Sequence, residues 1–351
     1  EAGATPVQEL SYALAIAIAV LDTVREDPDF DEASFSDVFS RISFFVNAGM
    51  RFVTEICKMR AFAELWDEIA QQRYGITDAK KRIFRYGVQV NSLGLTEQQP
   101  ENNVHRILIE MLAVTLSKRA RARAVQLPAW NEALGLPRPW DQQWSMRMQQ
   151  ILAFETDLLE YDDIFDGSTV IESRVEALKE QTRAELKRIA EIGGAVSAVE
   201  AGELKRALVE SNAKRIAAIE KGEQIVVGVN KWQQGEPSPL TAGDGAIFTV
   251  SETVEMEAEA RIREWRSKRD DGAVKQALAD LEQAARSGAN IMPPSIAAAK
   301  AGVTTGEWGQ RLREVFGEYR APTGVTLETV TSGAAEEARL LIADLGERLG
   351  E

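Results

Sequence analysis

FRYGVQVN (84–91) alternates with a period of two: Arg85, Gly87, Gln89 and Asn91 fall on one side, Tyr86, Val88 and Val90 on the other. RISFFVN (41–47) repeats the pattern, with Arg41, Ser43, Phe45 and Asn47 opposite Ile42, Phe44 and Val46. RAVQLP (123–128) is a third strand candidate. Long helical patterns fill the gaps between them, and that rhythm predicts βα units with right-handed crossovers and a parallel sheet. A fully buried parallel strand reads as a continuous apolar run. Here one face is apolar and the other is polar and small. An antiparallel sheet with one wet face would read this way, as would a barrel with a hydrophilic lumen; the long helical crossovers favour the barrel.

Working outward, a helical pattern covers about 6–25 and ends at DPDFD, a second follows NAG (47–49) and runs through residue 72, and a third reaches about 117. The run YALAIAIAVL (12–21) is about half the length of a membrane span, lies between Glu9 and Asp22, and has no basic segment before it. It reads as a buried helix, and the chain as cytoplasmic with no membrane partner. From about residue 166 charged helical segments dominate (168–192, then 195–222), with the pair Gly193–Gly194 as a stop. The short apolar runs QIVVGVN (224–230) and AIFTV (246–250) flank a turn region, and APTG (321–324) introduces a last amphipathic helix.

The 351 residues hold 41 Lys and Arg against 55 Asp and Glu, a net charge of −14, which argues against a nucleic-acid partner. One cysteine, Cys57, excludes an internal disulfide or a Cys-based zinc site, and one histidine, His105, leaves no room for a His-rich metal centre. His105 reads as a cap-region or partly buried residue, and Cys57 as core packing. No phosphate-loop motif occurs, and GDGAIF (243–248) is too short for a dinucleotide fingerprint. The basic cluster KRARAR (118–123) fits either a helix C-terminus offsetting its dipole or a phosphate contact. Polar residues at the strand C-terminal ends are better candidates for a site: Gln89, Asn91 and Ser92 after the second strand, Asn131 and Glu132 after the third. Loop capping explains them equally well.

The segments RISFFVNAGMRFVTEICKMRAFAELWDEI (41–69), YGVQVNSLGLTEQQPENN (86–103) and RAVQLPAWNEALGLPRPWDQQWS (123–145) resemble the adenosylcobalamin-dependent acyl-CoA mutases, the methylmalonyl-CoA mutase family. The resemblance continues through EIGGAVSAVEAG (191–202), EQIVVGVNKW (223–232) and VTTGEWGQRLREVFGEYRAPTGV (303–325). Within the family the ethylmalonyl-CoA subgroup is most similar. Methylmalonyl-CoA mutases usually carry His at the position of Gly87 and Trp at that of Leu93.

This resemblance implies an α/β fold: the C-terminal part of a CoA-binding (β/α)8 TIM-type barrel over 1–165, a mostly helical accessory region packed on it over 166–320, and a tether helix over 321–351. It implies contacts from Arg41 and Ser43 to CoA, with Gly87 and Arg123 as further substrate- or CoA-binding positions; Arg123 aligns with a family glutamine near the thioester, and both positions depart from the family pattern. Gln89 would face corrin and substrate, and Glu132 would hold a ribose hydroxyl of adenosylcobalamin. The implied chemistry is a radical 1,2-shift of a thioester group, between ethylmalonyl-CoA and methylsuccinyl-CoA. No residue of this chain is assigned to catalysis or to cobalt: the resemblance puts the family's active-site histidine just before Glu1, and the cobalamin-binding domain beyond the tether. It implies an acyl-CoA substrate, an upstream barrel segment and a cobalamin domain as partners, a homodimer when complete, and no activity in this chain alone. The alternatives are another acyl-CoA mutase, or a non-catalytic CoA-binding or assembly subunit.

Overall fold

The computed structural model describes residues 2–241 and 247–318; the expected tether over 321–351 lies outside them. The described residues divide into two compact units, 2–241 with 247–248, and 249–318. Residues 166–241, expected at the start of the accessory region, cluster with the strands.

In the first unit the elements run α1 (Pro6–Glu26), α2 (Phe35–Arg41), β1 (Phe44–Ala48), α3 (Phe52–Gln72), β2 (Tyr86–Val90), α4 (Asn102–Thr115), β3 (Ala124–Gln126), α5 (Pro139–Phe154), α6 (Thr169–Glu191), α7 (Gly194–Glu200) and α8 (Glu203–Glu220). The three strands form one parallel sheet in the order β1-β2-β3. This settles the choice between a wet antiparallel sheet and parallel βα units. Three βα units with helices on one face and an open second face are consistent with part of a TIM-type barrel.

The strands begin later than the alternation suggested. Arg41 closes α2, where the Ile42 N–H still bonds back to Phe39 O, and the ladder starts only at Phe44 N–H to Arg85 O, 2.9 Å. The parity nonetheless holds. Val46, Ala48, Tyr86, Val88 and Val90 are buried. Most of these join the core formed with α1, α3 and α6, where Phe39 stacks on Trp66 at 4.2 Å between centroids. Phe45, by contrast, is 60% exposed.

Helix α1 is, by length and composition, apolar enough to cross a membrane. Here it is a core helix: Leu10, Leu14 and Leu21 are fully buried, and a capping box between Thr5 and Gln8 starts it. Gly193 and Gly194 both take positive φ, 99° and 87°, which ends α6 as expected, and Gly202 splits the next segment into α7 and α8. QIVVGVN forms no strand; it holds one isolated bridge, Val227 to Lys231.

The second unit holds α9 (Glu252–Lys268), α10 (Asp271–Ser287), α11 (Met292–Ala301) and α12 (Thr305–Phe316). The buried stripe of α10 is Val274, Ala277, Leu281 and Ala285. Arg269 grips Glu307 with two bonds of 2.7 and 2.8 Å, while Glu307 completes the capping box of α12.

Candidate functional site

On the open face the register brings residues into rows across the three strands. Phe45, Gly87 and Ala124 share one row, and Asn47, Gln89 and Gln126 share the next one toward the strand C-termini. The second row is three carboxamides side by side. Asn47 Oδ1 is buried and has no hydrogen-bond partner. In the first row the Phe45 ring lies across Gly87: a Cβ there would stand 3.1 Å from both Cδ2 and Cε2 of the ring.

Arg41 and Ser43 are exposed at the N-terminal end of β1, and Arg123 is exposed just before β3. Arg123 pairs through its backbone N–H with Tyr86 O at 2.9 Å, so by parity it belongs to the helix-covered side rather than the open face. Gly87 and Gln89 are half-buried on the open face. The candidates therefore separate into an N-terminal group and Gln89 in the carboxamide row.

At the strand C-terminal ends lies a cleft of about 560 Å³, lined by the turns after β1 and β2 (Gly49, Met50, Asn91, Gly94) together with His105 and Arg215. His105 is exposed on α4, in the wall of this cleft. Arg106 also reaches it, and holds Val227 O at 2.8 Å and Thr96 Oγ1 at 2.8 Å. Beneath the cleft two carboxyls are buried. Glu110 is 1% exposed with Oε2 unpartnered; burial pushes its pKa up to about 8, Glu55 adds to the rise, and Arg106 opposes it. Burial also raises Glu55, against the pull of Lys58. Lys58 lies 2.6 Å from both Glu9 and Glu55. Its burial disfavours the charge, but the two carboxylates outweigh that and raise its pKa.

Alternation alone did not reveal Glu55, Lys58 and Glu110. The available signal was the run of polar residues within the apolar helix at TEICKMR, where Thr54, Glu55, Lys58 and Arg60 are all buried. Cys57 is core packing as expected, its thiol pushed up by burial. The basic cluster is partly spent inside the fold. Lys118 donates to Leu158 O and Tyr161 O, and Arg119 bonds Asp166 and Glu172 at 3.1 Å each.

The loop after β3 is pinned at several points. Ser145 Oγ donates to Pro128 O at 2.7 Å, and Asn103 Nδ2 donates to Trp130 O at 2.9 Å. The fully buried Asp141 accepts from Trp130 Nε1 (3.0 Å), Asn131 Nδ2 (2.8 Å) and the Arg138 N–H (2.8 Å). Burial works against its ionisation, but the bonds from Arg138 and the other donors prevail and hold its pKa low. Glu132 is exposed in the middle of this loop. A carboxylate so placed can accept a pair of hydroxyl donors.

A family model described as methylmalonyl-CoA mutase matches residues 1–318. The chain is 96% identical over its whole length to ethylmalonyl-CoA mutase of Methylorubrum extorquens, covering 51% of that protein. It is 66% identical to ethylmalonyl-CoA mutase of Cereibacter sphaeroides over 93% of its length, covering 49% of that relative. Against methylmalonyl-CoA mutase of Escherichia coli it is 32% identical over its whole length, covering 48%. The chain thus spans about half the length of the curated relatives it matches. A match over residues 1–318, on a parallel βα sheet with a polar open face, places the chain in the methylmalonyl-CoA mutase family.

Proposed function

We propose that this chain forms part of an adenosylcobalamin-dependent acyl-CoA mutase that interconverts ethylmalonyl-CoA and methylsuccinyl-CoA. The observation that carries this reading is the open face, a carboxamide row next to the row Phe45–Gly87–Ala124, in a chain so similar to ethylmalonyl-CoA mutases. Such a face can take a long, amide-bearing acyl thioester along the strands. Arg41 and Ser43, exposed at the N-terminal end, suit the nucleotide end of CoA, whose phosphates a guanidinium binds well.

Toward the cofactor the residues present fit in one respect that the geometry bears on. The pinned loop after β3 carries the exposed Glu132 as an acceptor for ribose hydroxyls, and Gln89 offers an amide on the open face. Adenosylcobalamin, when bound, supplies the radical chemistry of the rearrangement. The residues of this chain bind and orient the thioester and, with the rest of the protein, keep water from it. The upstream barrel segment, the cobalamin-binding domain, a homodimer and a cytoplasmic location belong to the same proposal.

The test incubates the full-length protein with adenosylcobalamin and ethylmalonyl-CoA and follows methylsuccinyl-CoA. Conversion supports the reading. Absent conversion, with CoA esters still binding, would favour a non-catalytic CoA-binding subunit.

A further inference from the structure

We infer that Phe45 is a specificity-determining residue that carries the alkyl branch of the acyl group, and that Gly87 is the position that seats its ring; this rests on the acyl-CoA mutase reading above.

A single exposed apolar side chain needs no explanation on an ordinary surface. Phe45 stands elsewhere. It projects from the second position of β1 onto a face whose next row is entirely amide, and it is 60% exposed there. Its ring does not extend away from the sheet but lies over its register partner Gly87. The ring is there because Gly87 has no side chain. With Cδ2 and Cε2 both 3.1 Å from where a Cβ would be, alanine makes the ring give by a few tenths of an ångström, and a larger residue must displace it. Ala124, next in the row, is small as well. The row is thus a low apolar shelf with one aromatic face.

Two residues along, a step of about 6.6 Å for a parallel strand, the row Asn47–Gln89–Gln126 begins. A ligand lying on both rows has an alkyl part next to a group that accepts and donates hydrogen bonds. An α-branched acyl thioester has that composition. A bulky side chain such as histidine at position 87 cannot coexist with this placement of Phe45. The pair therefore distinguishes two shelf shapes, one with the aromatic face over position 87 and one without it. One methylene in an apolar pocket is worth about 10–200-fold in discrimination, which is the range that separates an ethyl from a methyl branch.

The experiment uses the full-length protein loaded with adenosylcobalamin and compares kcat/KM for ethylmalonyl-CoA and methylmalonyl-CoA. In F45A the ratio of ethyl to methyl should fall about tenfold, whereas F45L, which keeps an apolar platform, should retain most of it. G87A should lower the ratio in the wild-type background and change it less than about twofold in F45A, because the ring it displaces is gone. Circular dichroism melts check that the variants fold. An unchanged ratio in F45A, or independent effects of the two substitutions, overturns the inference while leaving the mutase reading intact. No turnover by the wild-type protein overturns that reading, and this inference with it.

Discussion

Glu9 and Lys58 meet 2.6 Å apart at the outward edge of β1, and together they occupy both backbone groups of Asn47: Glu9 Oε1 accepts its N–H at 2.7 Å, and Lys58 Nζ donates to its carbonyl at 2.8 Å. The ion pair satisfies both backbone groups of Asn47 and ties α1, β1 and α3 at one point. It also explains how an ammonium 3% exposed is tolerated, since each of its bonds is to a charged or strongly polar acceptor.

Replacing Lys58 by Met should therefore leave Glu9 and Glu55 facing each other in a mostly dry site, at a cost of about 3–5 kcal/mol. Glu9→Gln keeps an acceptor for Asn47 N–H and should cost clearly less. Urea unfolding of the full-length protein, followed at a probe in the first unit, reads both. Equal losses in the two variants would show that charge plays no part at this edge.

Glu110 gives a pH prediction with a definite sign. Its carboxyl is held protonated in the fold up to about pH 8, whereas in the unfolded chain it ionises near the ordinary value of 4.5. Between those values the folded state binds the extra proton, so stability falls as pH rises, by about 1.4 kcal/mol per pH unit for one proton. Glu110→Gln removes that proton from the balance. The variant should gain on the wild type from about pH 5 to 8 and hold a constant advantage above that. Unfolding midpoints at four or five pH values suffice, and parallel curves for the two proteins would mean that Glu110 titrates alike in both states.

Asp141 predicts the opposite slope. Its pKa is depressed, so the stability it contributes is present above the unfolded value of 3.8 and is lost as pH falls through the lower folded one. Asp141→Asn should cost about 3–5 kcal/mol, because Arg138 loses its charged partner and an amide cannot accept from all three donors. Acid unfolding of the variant should lack the wild-type drop at low pH. Retention of that drop would assign it to another carboxylate.

Arg41 and Glu132 lie on different parts of the proposed site and should fail differently. Arg41→Ala should raise KM for the acyl-CoA several-fold, as loss of a charge-assisted contact worth about 1.5–3 kcal/mol would, and leave the melting temperature unchanged because the residue is exposed. Glu132→Gln should lower kcat while CoA-ester binding, measured by calorimetry, stays as in the wild type. A common effect on KM in both variants would refute the division of roles.

Alternation made the open face legible because Gly87 and Gln89 sit where a period of two puts them, whichever way the strands run. It could not show where pairing starts. Arg41 and Ser43 share the parity of Phe45, yet the α2 hydrogen bonds hold the chain through Ile42 and the ladder begins beyond both. The carboxamide row needed the register, which depends on crossover geometry that no local pattern carries. Glu110 was hidden for a further reason. A glutamate on an amphipathic helix reads as solvent-facing until α3 places Glu55 near it and the turn at Gly94 covers it.

The two-faced strands also divide the hereditary load of this chain. Changes at Val46, Val88 and Val125 strike the side packed under helices and should be felt as lost protein. Changes at Phe45, Asn47, Gly87, Gln89 and Gln126 leave that side untouched and act on what the face holds. On the reading proposed above, selection on abundance and selection on substrate would act on alternate codons along these strands, and new acyl preferences would arise at odd positions of β1 and β2 with little effect on the fold.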